Sequence, residues 1–146
     1  MRQRQTGQAD KLGIYIHIPF CRSICSFCPY CKTLYSEEAC SRYIDALIRE
    51  IHLAGSQAPG KKTVTSLYFG GGTPALAADR IKEIIDAIQE HFIITQGIGI
   101  ELHPENVTPR TLHVLKEAGV TKLSIGIQSF QEKFQKLLGR TGADVD

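Results

Sequence analysis

Thr65-Ser66-Leu67-Tyr68-Phe69-Gly70-Gly71-Gly72-Thr73-Pro74 decides the fold of this chain. Ser66 and Tyr68 alternate with Leu67 and Phe69, the period-two pattern of a strand over Thr65–Gly70. Three glycines then interrupt it. Thr73 and Pro74 follow as an N-cap and a first-turn proline, which start a helix. That helix is expected over Pro74–Phe92, where Ile81, Ile84, Ile85, Ile88 and Phe92 form one apolar stripe. The ten residues thus mark one βα unit.

The same unit recurs on both sides. Further strands are expected at Gly13–Ile18, Ile98–His103 and Lys122–Gln128. A helix from Glu37 to Ala54 carries Tyr43, Ile44, Leu47, Ile48 and Ile51 at helical spacing. Another starts at Thr108-Pro109 and stops at Gly119. A last one opens with Ser129-x-x-Glu132, read as a capping box, and ends near Gly139. Gly55–Thr63, rich in Gly, Ser, Pro and Lys, reads as a surface loop.

Strand phase adds a second inference. Ile14, Ile16 and Ile18 share a face, as do Leu67 and Phe69, then Ile98, Ile100 and Leu102, then Leu123, Ile125 and Ile127. The opposite face carries Tyr15, His17, Tyr68, Glu101, His103 and Gln128 among small residues. A one-sided antiparallel sheet alternates in the same way. Helices between every strand pair favour parallel strands, which need such crossovers. The expected class is α/β: about four βα units, the N-terminal part of a partial, open parallel TIM-like barrel with a polar, ligand-holding inner face. Residues 1–11 read as a disordered tail, 12–141 as the partial barrel and 142–146 as the end of an N-terminal fragment.

At 146 residues, 42% hydrophobic, 22% charged and net charge +2, the chain suits one globular domain with no basic surplus for nucleic acid. No apolar run is long enough to span a bilayer. A reducing cytoplasm is the expected compartment.

Cys21, Cys25 and Cys28 follow the first strand as C-x3-C-x2-C. Three thiolates so close can hold three corners of an iron–sulfur cluster and leave one iron open to a small molecule. Three other readings stand beside this one. The spacing also fits one face of a helix, although Pro19 and Pro29 bracket the run. Cys25-x2-Cys28-x2-Cys31 resembles a first zinc knuckle, although no second pair follows. Disulfides are the third, against an odd count of five cysteines and no secretory signal.

Gly70–Thr73 lies at a strand's carboxyl end, where glycines let the backbone approach a ligand or simply turn. Glu101 and Gln128 on the inner face call either for a ligand or for internal hydrogen-bond partners. His17 and His103 point the same way and could touch substrate or simply pair internally. His52, His91 and His113 read as surface or internally satisfied groups on helices.

These residues together resemble a known family. Tyr15-x-His17-Ile18-Pro19-Phe20-Cys21-x3-Cys25-x2-Cys28 resembles the opening of radical S-adenosylmethionine (SAM) enzymes, and most closely the oxygen-independent coproporphyrinogen III oxidases and their heme-chaperone relatives. Tyr68–Pro74, Glu101-Leu102-His103-Pro104 and Leu123–Phe130 with Leu138-Gly139-Arg140 are similar to the next three motifs of that group.

The resemblance implies that Cys21, Cys25 and Cys28 bind a [4Fe–4S] cluster whose open iron is chelated by SAM. It implies Phe27 near the adenine, Gly71, Gly72 and Thr73 at the methionine end, and Glu101, Gln128 and Arg140 at the carboxylate and ribose. Tyr15 would line the same pocket. Reductive cleavage of SAM to a 5′-deoxyadenosyl radical is the implied chemistry, with a flavodoxin or ferredoxin as electron donor and a tetrapyrrole as substrate. A heme-binding chaperone and a radical SAM methyltransferase are the alternatives within the resemblance.

One position departs from the pattern. The oxidases carry C-x3-C-x2-C-x-C and the chaperones a phenylalanine near the fourth cysteine, whereas here the next cysteine is Cys31. Cys31 is therefore the candidate catalytic thiol, a proton or hydrogen-atom donor, with plain packing as the alternative.

Overall fold

A computed structural model describes residues 11–58 and 60–140. Residues 1–10 of the tail expected over 1–11, the last barrel residue 141 and the segment 142–146 lie outside the described residues. Lys11, assigned to the tail, instead opens the first strand.

The elements run β1 (Lys11–Ile18), β2 (Phe20–Cys21), β3 (Thr33–Leu34), α1 (Glu37–Ser56), β4 (Lys62–Gly71), α2 (Ala78–His91), β5 (Phe92–Ile94), β6 (Ile98–Leu102), α3 (Pro109–Glu117), β7 (Val120–Ile125) and α4 (Glu132–Leu137). The main sheet has the order β1-β4-β6-β7, every pair parallel, with β5 beside the start of β4. Successive βα units thus sit side by side, as in an α/β barrel that has not closed.

Burial follows the predicted phase over three strands. Ile16, Ile18, Leu67, Phe69, Ile98, Ile100 and Leu102 are buried and meet Ile44 and Ile51 of α1 and Ile81, Ile84, Ile85 and Ile88 of α2 in one core. The fourth strand departs. Leu123 and Ile125 are 47% and 41% exposed on β7, not covered as expected. Their would-be helix α4 is short and folds toward the cysteine loop, where Ser26 Oγ donates to the carbonyl of Leu138 at 3.2 Å.

Several boundaries also differ from expectation. Pro74–Ala77 is a 3₁₀ turn, and α2 begins only at Ala78. Phe92 leaves the helix to pair with Lys62 as the first residue of β5. α1 runs through Ser56 and β4 starts at Lys62, so the predicted loop Gly55–Thr63 shrinks from both ends. The capping box at Ser129 does not form: the N-cap position of α4 is Gln131, which makes no side-chain cap, and Ser129 Oγ accepts from the Gln131 amide at 3.1 Å. β7 ends before Gln128, whose φ of 70° takes it out of the sheet. At Thr108 the expected cap is present, its Oγ1 accepting from the Thr111 amide at 3.1 Å. Among the described residues no helix is long and apolar enough to cross a membrane.

Ile44 is fully buried on α1 whereas Leu53 on the same helix is 62% exposed. Ile44→Ala should cost about 3 kcal/mol of unfolding free energy through lost apolar contact and a cavity. Leu53→Ala should stay within about 0.5 kcal/mol. Urea denaturation of the two variants measures the difference.

Candidate functional site

The loop that carries the cysteines is built from the exit of β1. Residues Phe20–Cys21 pair in parallel with Thr33–Leu34, closing the loop on itself. Phe20 is buried and held by edge-on contacts with the rings of Tyr35 and Tyr43, at 6.3 and 5.6 Å between centroids. The Tyr43 hydroxyl donates to the carbonyl of His17 at 2.6 Å. His17, read as able to touch substrate or to pair internally, has its Nε2 3.1 Å from the carbonyl oxygen of Cys31 and so ties down the far side of the loop. Lys32 Nζ donates to the carbonyl of Cys28.

The glycine turn after β4 packs onto this loop backbone to backbone. The Gly72 amide donates to Ile18 O at 2.9 Å and the Thr73 amide to Phe20 O at 2.7 Å. A Cβ on Gly72 would lie 2.6 Å from Phe20 O, 2.7 Å from Pro19 O and 2.8 Å from Cys21 Sγ. Gly71 has φ 123°, a conformation that side chains disfavour. Its amide donates to Glu101 Oε2 at 3.3 Å, and the Tyr68 hydroxyl donates to Glu101 Oε1 at 3.4 Å. The inward carboxylate expected on β6 thus has two partners. Thr73, expected to cap α2, makes no side-chain cap; its hydroxyl points to Cys21 Sγ at 3.9 Å.

A cavity of about 310 Å³ opens at the carboxyl ends of the strands. Cys21, Cys25 and Cys28 line it, and so do Phe27, the Gly71–Thr73 turn, Glu101, Gln128 and Arg140. Ten of the positions singled out from sequence therefore meet at one place. Gln128 reaches it from the turn beyond β7 rather than from the strand. Tyr15 and Cys31 do not line it. Tyr15 is 58% exposed, lies against Gly70 and has its hydroxyl 3.2 Å from His17 Nδ1. Burial and the Glu101 carboxylate push the Tyr15 hydroxyl above its ordinary pKa. Cys31 is exposed, and its carbonyl anchors the loop.

Sequence reasoning passed over Lys32 and named His103 as a residue that could touch substrate. Both line the cavity. His103 caps the 3₁₀ turn Pro104–Asn106, its Nδ1 accepting from the Glu105 amide at 3.4 Å. Burial and then the Arg140 guanidinium hold His103 below the usual histidine pKa, which keeps the ring neutral. No spacing in the sequence ties Lys32 to the carbonyl it meets.

The electrostatics suit a bound inorganic group. Burial pushes the Cys21 thiol up, and the nearby Cys28 and Cys25 sulfurs add to that rise against the Thr73 hydroxyl and Lys32. Buried Cys40 is raised in the same way, so a metal bound at Cys21 would itself have to draw out the thiolate, as a coordinating metal does. The sulfurs of Cys21, Cys25 and Cys28 do not all lie within 4.8 Å of one another. A cluster gives each thiolate its own iron and accepts the wider spacing.

Arg140 completes the fit. It donates to Gly126 O, approaches Cys25 Sγ at 3.9 Å, and keeps a buried Nε with no partner. A buried unpartnered donor on a cation invites an anionic ligand.

Comparison with known proteins gives a consistent result. A family model described as "Radical SAM superfamily" matches residues 15–146. The chain is 39% identical over 141 residues to the anaerobilin synthase of Escherichia coli O157:H7, covering 94% of this chain and 32% of that protein. It is 35% identical over 135 residues to the oxygen-independent coproporphyrinogen III oxidase of Paracoccus denitrificans, covering 88% and 30%. It is 33% identical over 138 residues to the heme chaperone HemW of Bacillus subtilis, covering 90% and 36%. The solved coproporphyrinogen III oxidase (HemN) of Escherichia coli, titled a radical SAM enzyme, superposes with a TM-score of 0.81 at 31% identity over 91% of this chain and 31% of that one. The chain spans about a third of the length of these relatives.

Gly72→Ala should force the cysteine loop off the glycine turn, because two of the three atoms it meets are backbone oxygens. Iron bound after anaerobic reconstitution should fall at least threefold. Gly13→Ala, with open space around its Cβ, should leave iron content unchanged.

Proposed function

The chain belongs to the radical SAM superfamily, and on that premise we propose that it carries the cluster- and SAM-binding part of an enzyme acting on a tetrapyrrole, in the manner of the coproporphyrinogen III oxidases. A [4Fe–4S] cluster and SAM are general features of that superfamily. The observation that carries the proposal is the convergence on one cavity of three thiols, the close-packed Gly71–Thr73 turn and the unpartnered Nε of Arg140.

In this reading Cys21, Cys25 and Cys28 hold the cluster and leave one iron to SAM. When both are bound, one-electron reduction of the cluster supplies a 5′-deoxyadenosyl radical. The chain's own residues bind and orient. Arg140 offers its free Nε to a carboxylate. Gly71 and Gly72 let a ligand lie against the backbone. Glu101, pinned by Tyr68 and the Gly71 amide, presents an acceptor whose position is set before the ligand arrives. Phe27 supplies an apolar surface for a flat ring. Neutral His103 beside Arg140 adds no further positive charge to the wall.

The substrate class rests on relatives, since coproporphyrinogen III and heme, both tetrapyrroles, are named for two of the proteins that this chain resembles. A reduced flavodoxin or ferredoxin in the cytoplasm would supply the electron. The chaperone reading keeps the same cluster and SAM site without turnover. It is favoured by Cys31, which is exposed and outside the cavity, so that no further thiol faces the ligand.

Anaerobic reconstitution followed by EPR of the reduced protein tests the site. A [4Fe–4S] signal that changes shape on adding SAM is expected. Arg140→Ala should retain the cluster and weaken SAM binding at least tenfold. Zinc in place of iron would refute the reading. Deoxyadenosine formed in step with loss of a porphyrinogen carboxylate supports the oxidase; heme retained without such turnover supports the chaperone.

A further inference from the structure

His52, Glu90 and His91 present their ligand atoms within 4.8 Å of one another, on two helices and away from the cysteine cavity. His52 lies near the end of α1, and Glu90 and His91 are the last two residues of α2. β5 follows at once and pairs Phe92 with Lys62, the first residue of β4. The three side chains therefore gather at the amino ends of the strands, opposite the cysteine loop. From this placement we infer a second metal site, for a divalent transition ion of the zinc type, that fastens α1 to α2.

The geometry argues for it in three ways. His52 Nδ1 and His91 Nε2 stand 3.1 Å apart, with the rings edge-on at 5.3 Å between centroids. Two imidazole nitrogens on a tetrahedral zinc, with bonds of about 2.0–2.1 Å, come about 3.3 Å apart. The ion would then replace the proton that the two rings share. Glu90 Oε2 lies 3.6 Å from the same His52 Nδ1, close enough to become the third ligand.

The third argument is the seat of His91. A Cβ at position 55 would lie 2.2 Å from its Cγ, so the ring rests directly on the glycine of α1. The backbone of one helix thus limits where the ligand from the other can go, which preorganises the pair. Two imidazoles and a carboxylate suit zinc, and the partial exposure of His52 and Glu90 leaves a fourth position for water. At the strand amino ends such an ion stabilises rather than reacts.

Anaerobic calorimetric titration of the cluster-loaded full chain with Zn²⁺, with iron content followed throughout, tests the site. The same titration of a chain carrying Cys21→Ser, Cys25→Ser and Cys28→Ser frees the result from the cluster. One zinc per chain should bind in both preparations, with iron retained in the first. His52→Gln and His91→Gln should each weaken it at least tenfold and Glu90→Gln by less, with unchanged circular dichroism. Zinc should also raise the melting temperature of the parent and not of the histidine variants. Zinc that binds only with loss of iron, fails to bind the serine variant, or binds both histidine variants as tightly as the parent would overturn the inference.

Discussion

The contact on which the site depends is made between two stretches of main chain. The exit of β1, Ile18–Cys21, and the exit of β4, Gly71–Thr73, touch without side chains between them. Strands in a parallel pair normally diverge after their last ladder bond. Here the ladder continues through Gly72 and Thr73, and the missing Cβ of Gly72 is the space that permits it. That approach sets Cys21 beside Thr73 and aims the Gly71 amide at Glu101 on the next strand. Three neighbouring strands are thereby linked at one end by a few short bonds.

Charge complements this frame. Half-buried thiols and an inward carboxylate would repel if all ionised together, yet cations are brought to the same wall from distant parts of the chain. Lys32 comes from the end of the cysteine loop and Arg140 from beyond α4. Arg140 also pushes the His103 pKa down, so the wall does not accumulate further positive charge at neutral pH. The arrangement makes donors available without fully pairing them, which is costly in an ordinary core and useful where a ligand is to be received.

The described part of the sheet has a finished side and an open one. β1, β4 and β6 are covered by α1 and α2 through a continuous isoleucine-rich layer. β7 keeps Leu123 and Ile125 exposed. Apolar alternation in that strand was legible, but alternation only states which residues share a face. Whether something covers the face depends on α4, whose carboxyl end is drawn to Ser26 of the loop. Gln128 shows the same limit. Its residue type pointed to the cavity, while its left-handed backbone turn has no signature in the letters Gly126-Ile127-Gln128-Ser129.

Taken alone, the sequence determined what local physics controls. Period-two and helical apolar spacing placed the four main strands and helices, because burial on one face is a short-range pattern. Thr108-Pro109 marked a helix start, and C-x3-C-x2-C with a glycine turn marked the ligand end of the sheet. Tertiary structure decided everything that needs two distant segments to meet. It paired Phe20–Cys21 with Thr33–Leu34, diverted Thr73 from capping to Cys21, tied His17 to the carbonyl of Cys31, and left Tyr15 and Cys31 outside the cavity. It also joined His52 to His91, 39 residues apart. Such contacts depend on the register of whole elements, and no spacing along the chain encodes that register.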